Sequence, residues 1–149
     1  FKPKFITKFY AGLAHSSLHQ YPKAIENLLD AEELAQASEQ NRLTHFFYFQ
    51  LGAAYERNRQ YETANDTFNK AIEMSPDYHN AMNYLGYMWA DINRNLDEAA
   101  KHITKANELS TDNASYVDSL GWLYFRQGKY TEALAELQRA AELLSLIPL

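Results

Sequence analysis

A short apolar segment built around a glycine recurs four times along this chain. The clear copies contain Gly52, Gly86 and Gly121, and a weaker copy contains Gly12. The differences between successive glycine positions are 52−12=40, 86−52=34 and 121−86=35. Repetition with a period of about 34 residues is typical of helical solenoids, in which each repeat stacks on the next. We therefore predict an all-α array of four repeats.

The second copy shows what one repeat contains. Tyr48, Leu51 and Tyr55 recur at the spacing of one face of a helix. Residues 58–60 interrupt this pattern, and a second helical pattern then runs to Pro76, which cannot continue a helix because proline lacks the N–H group. Each repeat is therefore predicted to be two antiparallel helices. The glycine is predicted to lie where these two helices cross.

The same pattern, applied to the whole chain, gives approximate repeat boundaries. The predicted repeats are residues 5–41, 43–77, 78–112 and 113–147. No linker or low-complexity segment separates them, so we predict one domain over residues 1–149. The chain begins at Phe1 without a methionine or a signal peptide, and we expect it to be a piece of a longer protein.

Charge and composition exclude several classes of protein. The net charge is −5, and the 14 Lys and Arg residues are scattered, so the basic patch of a nucleic-acid-binding protein is missing. No run of 18 apolar residues is present, so no transmembrane helix is predicted. The chain has no cysteine, which excludes disulfides and thiolate zinc sites. A cysteine-free chain suits the cytoplasm and the periplasm equally, so the localisation stays open.

Two histidines have a spacing that metal sites use. His15 and His19 are four residues apart, as in a two-histidine metal site on a helix. No acidic residue completes a metal-binding pattern beside them, so we interpret His15 as a packing residue and His19 as a turn residue. No glycine-rich phosphate loop and no serine nucleophile motif is present. We predict no enzymatic activity, no metal and no cofactor.

The second repeat resembles the tetratricopeptide repeat (TPR) signature. The matching residues are Tyr48, Leu51, Gly52, Tyr55, Ala64, Phe68 and Pro76. The runs 85–91 and 118–122 are similar to a subgroup common in bacterial TPR proteins, and the resemblance covers essentially the whole chain. It implies a right-handed superhelix whose first helices line a concave groove. It further implies that this groove binds a peptide or a helix of another protein, without catalysis.

By this resemblance, one stripe of the first helices lines the groove. The partner-binding residues that we predict on this stripe are Phe49, Arg57, Asn80, Asn83, Tyr87, Asp118, Trp122, Phe125 and Arg126. Aromatic residues beside arginine are typical of binding hot spots. The asparagine amides are able to donate to and accept from a peptide backbone. The alternative is that the aromatic residues only pack between repeats or under the C-terminal tail.

The C-terminal end is unusually apolar for a terminal repeat. It contains Leu143, Leu144, Leu146, Ile147 and Leu149, whereas terminal repeats normally have a polar outer face. The first residues, with Phe1, Phe5 and Ile6, are similarly apolar. Either further repeats follow in the parent protein, or these ends join copies of the chain. The second possibility gives an alternative function, a self-associating scaffold and therefore a homo-oligomer.

Overall fold

In the computed structural model, which describes residues 2–148, the chain consists of helices joined by short turns. The described part holds eight α-helices and a short 3₁₀ turn at Gln40–Arg42, without a β-strand. The helices are α1 (Phe5–Ser17), α2 (Tyr21–Ser38), α3 (His45–Arg57), α4 (Tyr61–Met74), α5 (His79–Asp91), α6 (Leu96–Leu109), α7 (Ala114–Arg126) and α8 (Tyr130–Ser145). The predicted all-α fold of four helix pairs is confirmed.

The recurring glycines lie where the two helices of each pair cross. Each one faces a large side chain of the second helix: Gly12 faces Leu28, Gly52 faces Phe68, Gly86 faces Ile103 and Gly121 faces Leu137. A Cβ atom added at any of the four would lie only 2.6–2.8 Å from that side chain. Gly12 lies late in α1, whereas its neighbours Ala24 and Leu28 lie early in α2, so the pair is antiparallel.

The turns inside the four pairs share one backbone geometry. Each contains one residue with a left-handed conformation: His19 (φ 58°), Arg59 (φ 61°), Asn93 (φ 56°) and Gly128 (φ 76°). The next N–H group bonds back to the first helix, as from Gln20 to the carbonyl of His15 at 2.8 Å, which is the Schellman pattern of helix ends. The third turn contains a second left-handed residue, Asn95 (φ 48°), and the spacing from Gly86 to Gly121 is one residue longer than that from Gly52 to Gly86.

Among the described residues, the helices form two compact units, one up to residue 76 and the other from residue 77 onward. In the first unit the rings of Phe5 and Phe9 stack with centroids 5.5 Å apart, and Phe47 lies 5.9 Å from both. Phe5 is therefore a core residue, and our expectation that it belongs to an exposed apolar end is wrong. Ile6 is 39% exposed, whereas Phe1 lies outside the described residues.

The second unit is held together by a buried core and by two polar links between helices. Trp89, Ile103 and Val117 are almost completely buried. The Nδ1 atom of His79, at the start of α5, lies 2.7 Å from the hydroxyl of Tyr116 in α7. Asn107 of α6 donates to the carbonyl of Tyr116 at 3.0 Å. These links fix α7 against both α5 and α6.

The first repeat contains the extra residues that the longer spacing from Gly12 to Gly52 requires. Helix α2 has 18 residues, four more than α4 or α6, and the 3₁₀ turn follows it. The longer α2 and the 3₁₀ turn together account for the longer spacing. Among the described residues, none of the helices is long and apolar enough to span a membrane. That residues 1–149 act as one domain stays a prediction.

Candidate functional site

The predicted binding residues fall unequally on the two units. Phe49 and Arg57 belong to α3 in the first unit. The other predicted residues lie on α5 and α7 of the second unit: Asn80, Asn83, Tyr87, Asp118, Trp122, Phe125 and Arg126. The candidate site is therefore described on the second unit alone.

An aromatic cluster stands at the C-terminal end of α7. The rings of Trp122 and Phe125 are stacked with centroids 5.4 Å apart and planes 8° apart. Phe125 also contacts Tyr130 edge-on at 5.5 Å, and these two side chains are 45% and 64% exposed. The guanidinium carbon of Arg126 lies 4.6 Å from the centroid of the Trp122 ring, which is cation–π distance. The cluster thus combines apolar surface with a positive charge.

A hydrogen bond places the cluster next to α5. Arg126 donates through Nη2 to the backbone carbonyl of Asp91 at 2.6 Å. The two positions differ by one repeat (126−91=35), so they are equivalent on α5 and α7. In the same register Tyr87 is equivalent to Trp122 (87+35), and its side chain is 41% exposed. The predicted aromatic residues of α5 and α7 therefore lie at the same level of neighbouring helices.

Several polar atoms at this site are buried without a hydrogen bond. In the described part of the chain, the side-chain atoms in this state are Asn83 Oδ1, Trp122 Nε1, Arg126 Nε and Gln127 Oε1. All four residues lie on α5 or at the C-terminal end of α7. Buried polar groups without a partner destabilise a fold by about 1–3 kcal/mol each, and native folds contain few of them. The sequence pattern identified three of these residues and missed Gln127, which lies just after the helix.

The two predicted residues of the first unit have different surroundings. Phe49 is 9% exposed, and its ring centroid lies 5.9 Å from that of Phe68 in α4. Phe49 precedes Gly52 by three residues and is therefore only about 60° around the helix from the crossing point, so α4 covers it. Arg57 is more than half exposed, and its Nε atom lies 3.3 Å from a carboxylate oxygen of Glu56. Phe49 is therefore a core residue and not part of an exposed surface, whereas Arg57 stays a predicted binding residue of the first unit.

The first unit contains a recess among α2, α3 and α4. It has a volume of about 240 Å³, and its lining includes Glu32, Tyr48, Tyr55 and Lys70. Burial, followed by the nearby charge of Glu32, raises the pKa of Tyr55 above its ordinary value. The ammonium of Lys70 lies 4.2 Å from the centroid of the Tyr48 ring. Among the described residues, none of the side chains that line this recess has a polar atom buried without a hydrogen bond, unlike the α5–α7 site.

The histidines with metal-like spacing are engaged with neighbouring side chains. His15 Nδ1 lies 2.7 Å from Gln20 Oε1, and His19 Nδ1 lies 2.7 Å from the Tyr21 hydroxyl. Among residues 2–148, no group of three or more histidine, aspartate or glutamate side chains has a metal-binding arrangement. Both histidines therefore serve the turn between α1 and α2.

Two family models, each described as tetratricopeptide repeat, match residues 49–114 and 114–145. Together they span residues 49–145, which is about two thirds of the chain. The chain belongs to the tetratricopeptide repeat family. Proteins of this family are non-catalytic interaction modules, so this TPR chain is a protein-binding scaffold and not an enzyme.

Individual relatives agree with this assignment. A TPR repeat-containing protein of Pseudomonas aeruginosa is 35% identical over 98 residues, which is 62% of this chain and 17% of that protein. MamA from Desulfovibrio magneticus has the same fold, with a TM-score of 0.81 at 19% identity over 95% of this chain and 76% of that one. YrrB, described as a TPR protein with an unusual peptide-binding site, gives a TM-score of 0.75 at 19% identity over 91% of this chain and 66% of its own. The chain thus spans about a sixth of the Pseudomonas relative.

Proposed function

We propose that residues 1–149 form one module that binds a peptide or a helix of another protein on the faces of α5 and α7. The binding residues in this proposal are Asn80, Asn83, Tyr87, Asp118, Trp122, Phe125 and Arg126. The observation that carries the proposal is the stacked pair of Trp122 and Phe125 with Arg126 beside it, in which the Phe125 ring is 45% exposed. Tryptophan, tyrosine and arginine are the residues that most often dominate binding energy at protein interfaces.

The unpaired polar atoms give this surface the means to recognise a peptide. Asn83 Oδ1 is a hydrogen-bond acceptor, and Trp122 Nε1 and Arg126 Nε are donors. All three atoms lack a partner among the described residues. A peptide group offers one donor and one acceptor, so it complements such a set.

The positive charge of Arg126 favours a ligand that carries an acidic group. Within residues 2–148 its guanidinium is held by a backbone carbonyl and an aromatic ring rather than by a carboxylate. Charge-assisted pairs with carboxylates are the strongest hydrogen bonds that arginine forms. A ligand with an acidic group next to an apolar side chain therefore suits this surface. That YrrB shares the fold and is described as having a peptide-binding site supports a peptide as the class of ligand.

The test is a selection of binding peptides from a random peptide library on the whole chain. The affinity of a selected peptide is then measured by fluorescence anisotropy for the parent, Phe125→Ala, Arg126→Gln and the control Tyr10→Ala. Tyr10 is 60% exposed on α1, far from the site in sequence. We expect losses of about tenfold or more for the two site variants, the size typical of hot-spot residues, and no loss for the control. Equal affinity of all four proteins would contradict the proposal.

A second candidate function, the self-associating scaffold, concerns the C-terminal side chains. Leu144, Leu146 and Ile147 are 56%, 77% and 59% exposed, and Leu143 is half-buried, whereas Leu149 lies outside the described residues. Exposed apolar side chains that are adjacent to one another indicate an interaction surface. Light scattering at a low and a high protein concentration tests this function. A monomer at both concentrations would contradict it, and a dimer lost on deleting residues 143–149 would support it.

A further inference from the structure

Two side chains of opposite charge lie on the same side of α7. Asp118 and Arg126 are eight residues apart (126−118=8), and Trp122 lies midway between them. Side chains four residues apart are neighbours on a helix surface, so the three form one line. At 1.5 Å per residue, this line is about 12 Å long. A ligand that follows α7 therefore meets an acidic group, an aromatic ring and a basic group in order.

The charges at both ends of this line are available to a ligand. Asp118 is exposed, and among residues 2–148 its carboxylate has neither an ion pair nor a hydrogen bond. Arg126 is half-buried, and its guanidinium contacts the Asp91 carbonyl and the Trp122 ring instead of a carboxylate of the described chain. Arginine forms its strongest hydrogen bonds with carboxylates, and an aspartate forms its strongest with cationic donors. Each end of the line is therefore suited to a ligand group of the opposite charge.

The positions of both charges stay accessible when another repeat packs beside them. The equivalent residues of α5 are Asn83 (118−35) and Asp91 (126−35). Helix α7 packs against α5 within the same unit, yet Asn83 is only half-buried and Asp91 is exposed. A helix that packed against α7 in the same way would leave Asp118 and Arg126 accessible as well. The exposure of the line therefore does not depend on where the sequence ends.

The unpaired polar atoms beside the line favour an extended ligand over a helical one. Asn83 Oδ1 is an acceptor, and Trp122 Nε1 and Arg126 Nε are donors, all without a partner among the described residues. A helix bonds most of its N–H and C=O groups internally, whereas an extended peptide offers them to its surroundings. An extended backbone is therefore able to pair with atoms that a helical ligand would leave unpaired.

We infer that this line binds an extended peptide with a basic side chain on Asp118, an apolar side chain on Trp122 and an acidic side chain on Arg126. The inference rests on the proposed function and names the chemistry of its ligand. In an extended chain every second side chain points to the same side, and two residues span about 6.6 Å. Two such steps span about 13 Å, close to the length of about 12 Å from Asp118 to Arg126. The ligand pattern is therefore basic–x–apolar–x–acidic, where x is any residue, read in either direction along the peptide.

The opposite charges at the two ends disfavour ligands of uniform charge. An acidic peptide would place a carboxylate beside Asp118, and a basic peptide would place a cation beside Arg126, and such like-charge contacts weaken binding. Asp91 adds negative charge near Arg126, because its carbonyl accepts from that guanidinium while its residue stays exposed. The attraction of an acidic group at Arg126 is therefore reduced. We expect the charge of the peptide to matter most at Asp118.

The first test selects peptides from a library in which a central leucine has two random residues on each side. The parent is expected to enrich a basic residue at one end and an acidic residue at the other. Asp118→Lys is expected to enrich acidic residues at both ends. The control Glu142→Lys makes the same change of charge at an exposed residue of α8 and is expected to select as the parent does. Circular dichroism shows whether the variants are folded, and Asp118→Asn, which should only lose the enrichment of the basic residue, is used if Asp118→Lys unfolds.

The second test measures the size of the preference by fluorescence anisotropy. The probes are the peptide that the parent selects and the same peptide with its basic residue changed to glutamate. The parent is expected to bind the first about fivefold or more tightly than the second, as one accessible ion pair allows, and Asp118→Lys is expected to reverse the order. A third probe has its basic and acidic residues eight apart, the spacing that a helix along α7 would need, and is expected to bind more weakly than the first. Tighter binding of the third probe would overturn the extended conformation.

The outcomes separate the inference from the proposed function on which it rests. If the selected peptide loses affinity in Phe125→Ala but the order of the first two probes is the same for the parent and Asp118→Lys, the inference is overturned and the proposed function stands. If Glu142→Lys also reverses the order, net charge and not Asp118 sets the preference, and the inference is overturned. If no selected peptide loses affinity in Phe125→Ala or Arg126→Gln, both are overturned. Reversal in Asp118→Lys alone supports the inference.

Discussion

The crossing glycines differ in how rigid their neighbours are, and this difference predicts unequal effects of one substitution. At Gly86, an added Cβ would lie 2.6 Å from Ile103 Cγ1 and 2.9 Å from the backbone carbonyl oxygen of Ala99. At Gly121, the atoms within 3 Å of the added Cβ are Cγ and Cδ2 of Leu137, a side chain that is 36% exposed. The Ala99 carbonyl belongs to the backbone of α6 and cannot move without the helix. The Leu137 side chain is partly exposed and has room to shift toward solvent.

The magnitude follows from these distances. Ordinary van der Waals contact begins at 3.4 Å, so the Ile103 side chain and the Ala99 carbonyl would both have to withdraw from the added Cβ. Overpacking of this kind destabilises a protein by about 1–3 kcal/mol. Alanine recovers roughly 0.5–1 kcal/mol through its higher helix propensity. We therefore expect Gly86→Ala to lower the free energy of unfolding by about 1–2 kcal/mol, and Gly121→Ala to change it by less than about 1 kcal/mol.

Urea unfolding followed by far-UV circular dichroism measures this difference, and Gly121→Ala is the matched control because it makes the same change at the equivalent position. In a thermal melt, each kcal/mol corresponds to about 2–4 °C for a domain of about 150 residues. If Gly86→Ala is as stable as the parent, or if Gly121→Ala loses as much, the explanation of the glycines by close helix crossing is refuted.

Three further predictions concern single side chains. Asn113 caps α7 by accepting a hydrogen bond from the Tyr116 N–H at 3.2 Å. Asn113→Ala should therefore lower the free energy of unfolding, measured in urea, by about 1 kcal/mol, whereas the control Lys129→Ala, at the uncapped start of α8, should lower it less. Burial lowers the pKa of His102 below its ordinary value of 6.5, so as the pH drops the unfolded chain binds a proton at this histidine before the folded chain does. The free energy of unfolding should therefore decrease below about pH 6.5, and His102→Gln should show a smaller decrease between about pH 7.5 and pH 5. The ion pair between Arg139 and Asp112 is exposed and contributes little to stability. Arg139→Gln should therefore alter the free energy of unfolding by less than about 1 kcal/mol, and a larger loss would show that this pair is not an ordinary surface ion pair.

Sequence periodicity was sufficient for the fold because the strongest constraint on each repeat is local. A glycine opposite one large side chain and a left-handed turn residue recur in every pair, so Gly52 and Phe68 were enough to place α3 against α4. The extra length of the first repeat was also predictable, since the apolar pattern of α2 simply continues.

The site was less predictable because it depends on contacts between repeats. Phe49 is an exception, because α4 of its own repeat covers it: its ring centroid lies 5.9 Å from that of Phe68. The link from His79 to Tyr116 and the bond from Arg126 to Asp91 join residues about one repeat apart, and nothing in their local sequence announces them.

The central claim, that a partner peptide binds on α5 and α7, is tested most directly by the two tryptophans of the chain. Trp122 lies in the proposed surface, whereas Trp89 is 1% exposed and serves as an internal control. Titration of ¹⁵N-labelled protein with a library-selected peptide, followed by NMR of the indole N–H signals, reports on both. We predict that the Trp122 signal shifts, because its unpaired Nε1 gains a hydrogen bond, while the Trp89 signal stays in place. A bound peptide that leaves the Trp122 signal unchanged would contradict the account.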